Sequence, residues 1–288
     1  METHSADIEA DAAIVGAGPI GLELHVALKR AGLKVLHLEA RQIAHTISWF
    51  APQTRFFSSN DRIAICGVPL QTADQSKASR EEYLAYLRSV VEQFDLPIQT
   101  FEPVVGIERT ASGFRLRTLK ASLERVYLAA KVVLATGGTE RPRKLNIPGE
   151  DLPHVSHYFT DPHLYFRRRL LIVGGRNSAV EAAIRCHRAG ASVSLVSRRE
   201  NLESAGIKYW LLPEITSLMD GGKITPHFQT QPLEISADRV TLRKKDGERF
   251  DVEADFVLLM TGYEADMSLC KMAGVELIGR VQTPTFNE

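Results

Sequence analysis

The sequence predicts an α/β chain of two parallel-sheet domains, one inserted into the other, and three observations carry that prediction. First, AIVGAGPIGLELHVALKRAGLKVLHLEAR (Ala13–Arg41) and LIVGGRNSAVEAAIRCHRAGASVSLVSRR (Leu171–Arg199) align without a gap, 158 positions apart. Each reads as a short apolar strand, a glycine turn, a helix, Ala-Gly and a second strand. Second, two later apolar strands end alike, Lys131–Ala135 before Thr136-Gly137-Gly138 and Ala254–Met260 before Thr261-Gly262. Third, each glycine unit precedes its own closing strand, so residues 1–138 with 261–288 form one domain and 139–260 the other.

In the first unit, Gly16, Gly18 and Gly21 form G-x-G-x-x-G directly after the strand Ala12–Val15. Gly16 permits a tight turn, Gly18 leaves room for a pyrophosphate, and Gly21 lets the helix pack close to the strand. The helix N-terminus offers free N–H groups and partial positive charge to the phosphates. The next strand, Lys34–Leu38, ends at Glu39, eighteen positions past Gly21, where a carboxylate accepts from ribose hydroxyls. Strand, turn, helix and acid at these distances point to a Rossmann-like dinucleotide-binding domain, with the nucleotide site on Gly16, Ala17, Gly18, Pro19, Ile20, Gly21, Glu39 and Ala40.

Ser197-Arg198-Arg199 stands where the first unit has Glu39. A carboxylate would repel a ribose 2′-phosphate, whereas a hydroxyl and two guanidiniums bind it through charge-assisted contacts. The second unit therefore reads as NADPH-specific; the alternative is a pair of solvated charges at a strand end. Its turn, Gly174-Gly175-Arg176-Asn177-Ser178-Ala179, has Arg176 at the close-approach glycine and Ala179 at the last one. The arginine must turn outward, and Asn177 or Ser178 is expected to cap the helix or donate to phosphate. The alternative here is a degraded turn that binds nothing.

Between the units, Arg80–Phe94 has apolar residues at helical spacing. Val104–Ala129 alternates about two polar turns, a three-strand meander, and Lys131–Ala135 follows as a separate buried parallel strand. Glu140–Glu150 is a connector. After the second unit come a helix near Ile207–Met219 and strands near Ile224–Phe228, Leu233–Ser236 and Val240–Lys244.

At 288 residues and 44% apolar content the chain can bury one large core or two moderate ones. Balanced acids and bases give no electrostatic footprint for nucleic acid. No run approaches the roughly 20 apolar residues of a membrane helix, and the acidic start METHSADIEAD argues against a secretory or transit leader. Cys66, Cys186 and Cys270 are too dispersed for a disulfide framework. A cytoplasmic location is the default, and homo-oligomerisation is left open. His154, His157 and His163 show no convergence into a metal site.

With Ala-Thr-Gly at 135–137 and Met-Thr-Gly at 260–262, the pattern resembles the flavoprotein superfamily that binds two dinucleotides. The resemblance implies FAD on the first domain and NADPH on the inserted second, and adds Thr136, Gly137, Thr261 and Gly262 to the cofactor site. Thioredoxin reductases share the layout but carry Cys-x-x-Cys before the second glycine loop. HYFTDPHLYFRRRLLIVGG (His157–Gly175) has no cysteine, so that dithiol relay, which needs attacking and resolving thiols, is absent. RFFSSNDRIAI (Arg55–Ile65), HYFTDPHLYF (His157–Phe166), VGGRNSAVEAA (Val173–Ala183) and IKYWLLPEI (Ile207–Ile215) resemble the bacillithiol-disulfide reductase family. That resemblance implies an FAD-dependent, NADPH-oxidising reductase of a low-molecular-weight disulfide or another small acceptor. It puts Phe56, Phe57, Ser58 and Ser59 near the flavin and Lys208 near NADPH, and makes a basic residue at Arg176 a family trait.

The chain departs from that family twice. Ile20 stands where the family has a cysteine in its first glycine loop, and the sequence stops at Glu288, about one strand and one helix short of the family pattern. Two other readings stay open: a flavin-dependent monooxygenase, and a non-catalytic nucleotide-binding protein lacking the C-terminal flavin element. No catalytic side chain is assigned, because the cofactors carry the chemistry.

Overall fold

A computed structural model describes residues 8–139, 141–279 and 283–284. The acidic start before Ile8, Glu140 at the head of the connector, and residues 285–288 lie outside the described residues. The chain divides into two compact units, Met1–Arg141 with Glu264–Glu288, and Pro142–Tyr263. Both passages fall three residues beyond the predicted 138/139 and 260/261.

The first unit opens with β1 (Ile8–Val15), α1 (Pro19–Arg30) and β2 (Val35–Leu38). Two single-turn helices follow, α2 (His45–Ser48) and α3 (Asn60–Ile63), and then α4 (Arg80–Gln93). A capping box explains where α4 starts: Ser79 accepts from the Glu82 N–H while the Glu82 carboxylate accepts from the Ser79 N–H. Tyr83, Tyr86, Leu87 and Val90 form its buried stripe, packing with Leu22 and Val26 of α1. After β3 (Ile98–Gln99), the meander is β4 (Val104–Thr110), β5 (Gly113–Lys120) and β6 (Leu123–Leu134).

The six strands form one sheet in the order β3-β2-β1-β6-β5-β4. Here the structure corrects the sequence reading. The third meander strand and the expected separate strand Lys131–Ala135 are one element, β6. Residues 123–129 pair antiparallel with β5 on one edge, and residues 127–134 run parallel to β1 on the other. Nor is the second half fully buried, since Val133 is 36% exposed.

The second unit follows β7 (Arg141–Pro142) and holds β8 (Val155–Ser156), β9 (Arg169–Val173), α5 (Asn177–Arg188) and β10 (Ser192–Val196). Next come α6 (Leu211–Asp220), β11 (Ile224–His227), β12 (Thr230–Ile235), β13 (Arg239–Lys244), β14 (Arg249–Glu253) and β15 (Phe256–Leu259). The chain then runs through β16 (Tyr263–Glu264), α7 (Ser268–Met272), β17 (Leu277–Ile278) and β18 (Thr283–Pro284). The parallel sheet has the order β11-β10-β9-β15-β8, and β12-β13-β14 is a separate antiparallel sheet.

The order β11-β10-β9-β15 repeats β3-β2-β1-β6, so the internal duplication extends from sequence to topology. In both sheets the glycine turn leaves the carboxyl end of a central strand, the place where open α/β sheets bind ligands. Leu170, Leu171 and Ile172 of β9 are buried on both faces, as a parallel sheet covered on each side requires. Two further differences from the sequence reading appear here. The helix expected from Ile207 begins at Leu211, because Ile207–Trp210 fold as a turn. Strand β14 was not anticipated, since Arg249-Phe-Asp-Val-Glu253 is charged at every exposed position.

Candidate functional site

Gly16 adopts φ +108°, in the left-handed region that favours glycine. A Cβ there would stand 2.5 Å from the Ala135 carbonyl oxygen and 3.2 Å from the Thr136 nitrogen, so the turn sits against the end of β6. At Gly21 a Cβ would collide with the Gly16 carbonyl. Gly18, by contrast, would meet nothing within 4 Å, which leaves open space at the close-approach position. Gly18 is the N-cap of α1 and Pro19 its first residue, where the missing N–H costs nothing. Ala17 is buried, whereas Ile20 is 72% exposed at the helix entrance.

Glu39 reaches this loop. Its Oε2 accepts from the Ala17 N–H at 2.7 Å and its Oε1 from the Arg41 N–H at 2.8 Å. These two bonds fix the carboxylate and leave lone pairs for ribose hydroxyls. Ala40 is exposed beside it. Thr136 is half-buried and Gly137 takes φ +79° with open space about its Cα. Ala44, whose N–H donates to the Ala17 carbonyl, walls a cleft of about 380 Å³ with Gln42, Ser48, Arg88 and Thr100. Open space at Gly18 and an anchored acid beside it fit a dinucleotide with a free ribose.

The loop bearing the aromatic residues is split. Phe56 stacks edge-on to Tyr83 (centroids 4.6 Å apart) and belongs to the core. Phe57 is 55% exposed, with Lys77 over its ring. Ser58 is half-buried, and Ser59 is the N-cap of α3.

Sequence reasoning missed a histidine pair behind the glycine turn. His25 Nδ1 and His37 Nδ1 are 2.9 Å apart, and His37 Nε2 lies 3.1 Å from the Gly16 carbonyl oxygen. With Nε2–H donating to Gly16, His37 Nδ1 must accept, so His25 Nδ1 carries the proton. Burial, with help from His37 and Lys29, pushes His25 down to about 4, and burial also lowers His37. Because the unfolded chain binds a proton at 25 near pH 6.5 and the folded chain does not, stability should fall as pH drops from 6.5 towards about 4. Thermal unfolding across that window checks this: His25→Gln, which hydrogen-bonds without titrating there, should flatten the slope.

In the second unit Gly174 has φ +153°, and a Cβ on it would stand 2.6 Å from the Met260 carbonyl oxygen. Ala179 is buried against this turn, 2.8 Å from that same position. Arg176 is extended and exposed, and its methylenes run past Gly206, so the arginine needs no strained backbone. The capping expectation fails: Arg176 is the N-cap of α5, and neither Asn177 nor Ser178 caps it. The reason is the loop before α6, which folds over the helix end. The Asn177 N–H donates to the Gly206 carbonyl at 3.1 Å, and Asn177 Oδ1 accepts from the Lys208 N–H at 2.6 Å.

Lys208 thus sits at this glycine loop, but its ammonium turns into the protein, 2.7 Å from Glu181 Oε2 and 6% exposed as a residue. Lys208→Ala would leave the half-buried Glu181 without its ammonium partner and with Arg185 at 3.8 Å. The expected cost is about 3 kcal/mol, the low end for breaking a buried pair; urea unfolding measures it.

Ser197 is buried; its Oγ accepts from the Arg199 N–H at 3.2 Å and fills the space where a Cβ on Gly175 would go. Its hydroxyl thus takes part in the turn and in its packing. Arg199 is paired with Glu203, whereas Arg198 is exposed along a groove of about 440 Å³. Thr261 Oγ1 donates to the Arg143 carbonyl at 2.6 Å, and the Gly262 carbonyl (φ +96°) accepts from the Arg143 N–H, so this pair clamps the connector.

The histidines of the connector region are structural neighbours. His154 Nε2 lies 3.1 Å from the Ser236 carbonyl oxygen, and His157 lies 3.4 Å from Glu150 Oε1. Among the described residues no group of three or more metal-ligating side chains converges, and no helix is long and apolar enough to cross a membrane.

Comparison with known proteins places these features in context. The family model described as pyridine nucleotide-disulphide oxidoreductase matches residues 13–288. Bacilliredoxin reductase Bdr of Bacillus subtilis (strain 168) is 34% identical over 282 residues, covering 98% of this chain and 85% of its own. The solved structure of bacillithiol disulfide reductase Bdr (YpdA) from Bacillus cereus superposes with a TM-score of 0.93 at 33% identity, covering 98% of this chain and 86% of that one. A ferredoxin–NADP reductase of Ignicoccus hospitalis is 26% identical over 94% of this chain and 83% of its own.

Proposed function

The chain belongs to the pyridine nucleotide-disulphide oxidoreductase family, and from that premise we propose that it is an FAD-dependent reductase that oxidises NADPH and reduces a low-molecular-weight disulfide of the bacillithiol disulfide type. The observation that carries this reading is the contrast between two otherwise matching units. One sets an anchored carboxylate, Glu39, against its glycine loop; the other sets Arg198 on a basic groove at the equivalent strand end.

On the first unit, Gly16 and Gly21 draw strand and helix together, Gly18 leaves room for the pyrophosphate of FAD, and Glu39 accepts from its ribose. On the second, Gly174, Gly175 and Ala179 form the corresponding turn for NADPH, with Arg198 towards the 2′-phosphate. When bound, the flavin supplies the hydride acceptance and two-electron delivery that no side chain here can perform.

The protein thiols bear on the acceptor step. Burial raises the Cys66 thiol above its ordinary range, and burial pushes Cys186 up to about 12. Neither is a thiolate at neutral pH, so neither attacks a disulfide. With Ile20 in the first glycine loop, that loop has no thiol either. Electrons then reach the disulfide without an enzyme thiol at these positions. The relatives' names include bacillithiol disulfide, bacilliredoxin and ferredoxin as acceptors, and all three can be assayed directly.

The test is anaerobic NADPH oxidation by the FAD-loaded protein with each acceptor in turn. Stoichiometric consumption with bacillithiol disulfide is expected. Consumption with ferredoxin alone would remove the disulfide from the proposal while keeping the reductase. A cytoplasmic location belongs to the same proposal, since NADPH is drawn from that compartment.

A further inference from the structure

We propose that the 2′-phosphate of NADPH is held between Arg198 and the hairpin joining β13 to β14, with Arg243 and Lys245 as specificity-determining residues alongside Arg198. This rests on the reading of the second unit as the NADPH site. The two arginines at the end of β10 are not equivalent. Arg199 is committed to an ion pair with Glu203, on its own loop. Arg198 lines the groove together with Gln229, Gln231, Arg243 and Lys245.

Backbone bonds fix these partners beside one another. The Ser197 N–H donates to the His227 carbonyl at 2.9 Å, the Gln229 N–H to Arg199 at 2.9 Å, and the Thr230 N–H to Ser197 at 3.0 Å. The start of β12 is thereby sewn to the end of β10. Strand β13 pairs with β12 so that Arg243 stands opposite Gln231. The antiparallel sheet thus carries the hairpin's cations to the strand end where the sequence lost its acid.

The charges in the groove also differ in availability. Lys244 is paired with Glu248 at 2.6 Å, and Asp246, the acidic side chain of the lining, accepts from the Glu248 N–H at 3.0 Å. Among the described residues Arg198, Arg243 and Lys245, which all line this groove, form no ion pair. Three uncommitted cations and two amide side chains in one open groove suit a dianionic phosphate monoester better than a neutral ribose.

Calorimetric titration of the whole protein with 2′,5′-ADP and with 5′-AMP tests this without turnover. Wild type is expected to prefer 2′,5′-ADP. Arg243→Ala and Lys245→Ala should each weaken 2′,5′-ADP by about tenfold, the effect of one charge-assisted bond, and leave 5′-AMP unchanged; Arg243→Lys should recover part of the loss. The double variant Arg199→Gln, Glu203→Gln should keep the preference. If both alanine variants keep the wild-type preference, the hairpin assignment is wrong while the NADPH reading stands. If wild type binds the two nucleotides equally, the NADPH reading itself falls and takes this assignment with it.

Discussion

Gly16→Ala is expected to unfold the first unit's nucleotide turn and to yield protein that does not retain FAD. Two penalties coincide at this residue. The backbone sits at φ +108°, and a methyl group would press on the Ala135 carbonyl at 2.5 Å and its carbon at 2.8 Å. Both are backbone atoms at the end of β6, held by the Ala135 N–H bond to Val15 at 2.8 Å, so neither can swing aside. Strain of this kind costs on the order of 1–3 kcal/mol and the clash a comparable amount, so a loss of about 3–5 kcal/mol is expected. Flavin content after purification and thermal unfolding with and without added FAD measure it. Gly18→Ala is the control, since a Cβ there meets nothing within 4 Å. It should fold normally yet weaken FAD binding, because the methyl enters the space of the pyrophosphate. Equal thermal stability of Gly16→Ala and wild type would remove the steric account of this turn.

Arg198→Glu is expected to lower NADPH affinity by about 100-fold and to leave NADH affinity the same or improved. Removing a charge-assisted contact to phosphate costs roughly 1.5–3 kcal/mol, and the new carboxylate adds repulsion against a 2′-phosphate. Arg198 is exposed and lacks any ion pair among the described residues, so the substitution should not disturb folding. Separate titrations with the two nucleotides decide the matter. A parallel loss for both would mean that Arg198 acts on something other than the 2′-phosphate.

The parts of the molecule legible in the sequence are those where a short local pattern has one physical meaning. Gly16 and Gly174 could be read as tight turns and Gly21 as a close helix–strand contact because only glycine fits those positions, and the structure shows what a Cβ would strike at each. The helix expected over Arg80–Phe94 was legible from its apolar period and is found at Arg80–Gln93. What could not be read depends on tertiary pairing. Nothing local distinguishes two strands from the single β6, because it continues without a turn from residues paired with β5 on one edge to residues paired with β1 on the other.

The same limit applies within the nucleotide units. Ser197 looked like a phosphate ligand because it replaces an acid; its burial against Gly175 follows from how β10 meets the glycine turn. Arg199 looked equivalent to Arg198 until Glu203, four residues on, was found to hold it. Arg243 and Lys245 lie more than forty residues beyond the motif, and only the β12–β13 register brings them to it. The His25–His37 contact likewise joins positions twelve apart on a helix and a strand, where neither residue alone carries a signal.

An anaerobic titration of the FAD-loaded protein with NADPH, followed by the visible absorbance of the oxidised flavin, tests the central claim most directly. Bleaching that is complete at one NADPH per flavin is expected, with NADH far less effective at equal concentration. A protein that binds no flavin when FAD is supplied, or whose flavin stays oxidised under excess NADPH, would contradict the reading of the two nucleotide units as one electron-transfer enzyme.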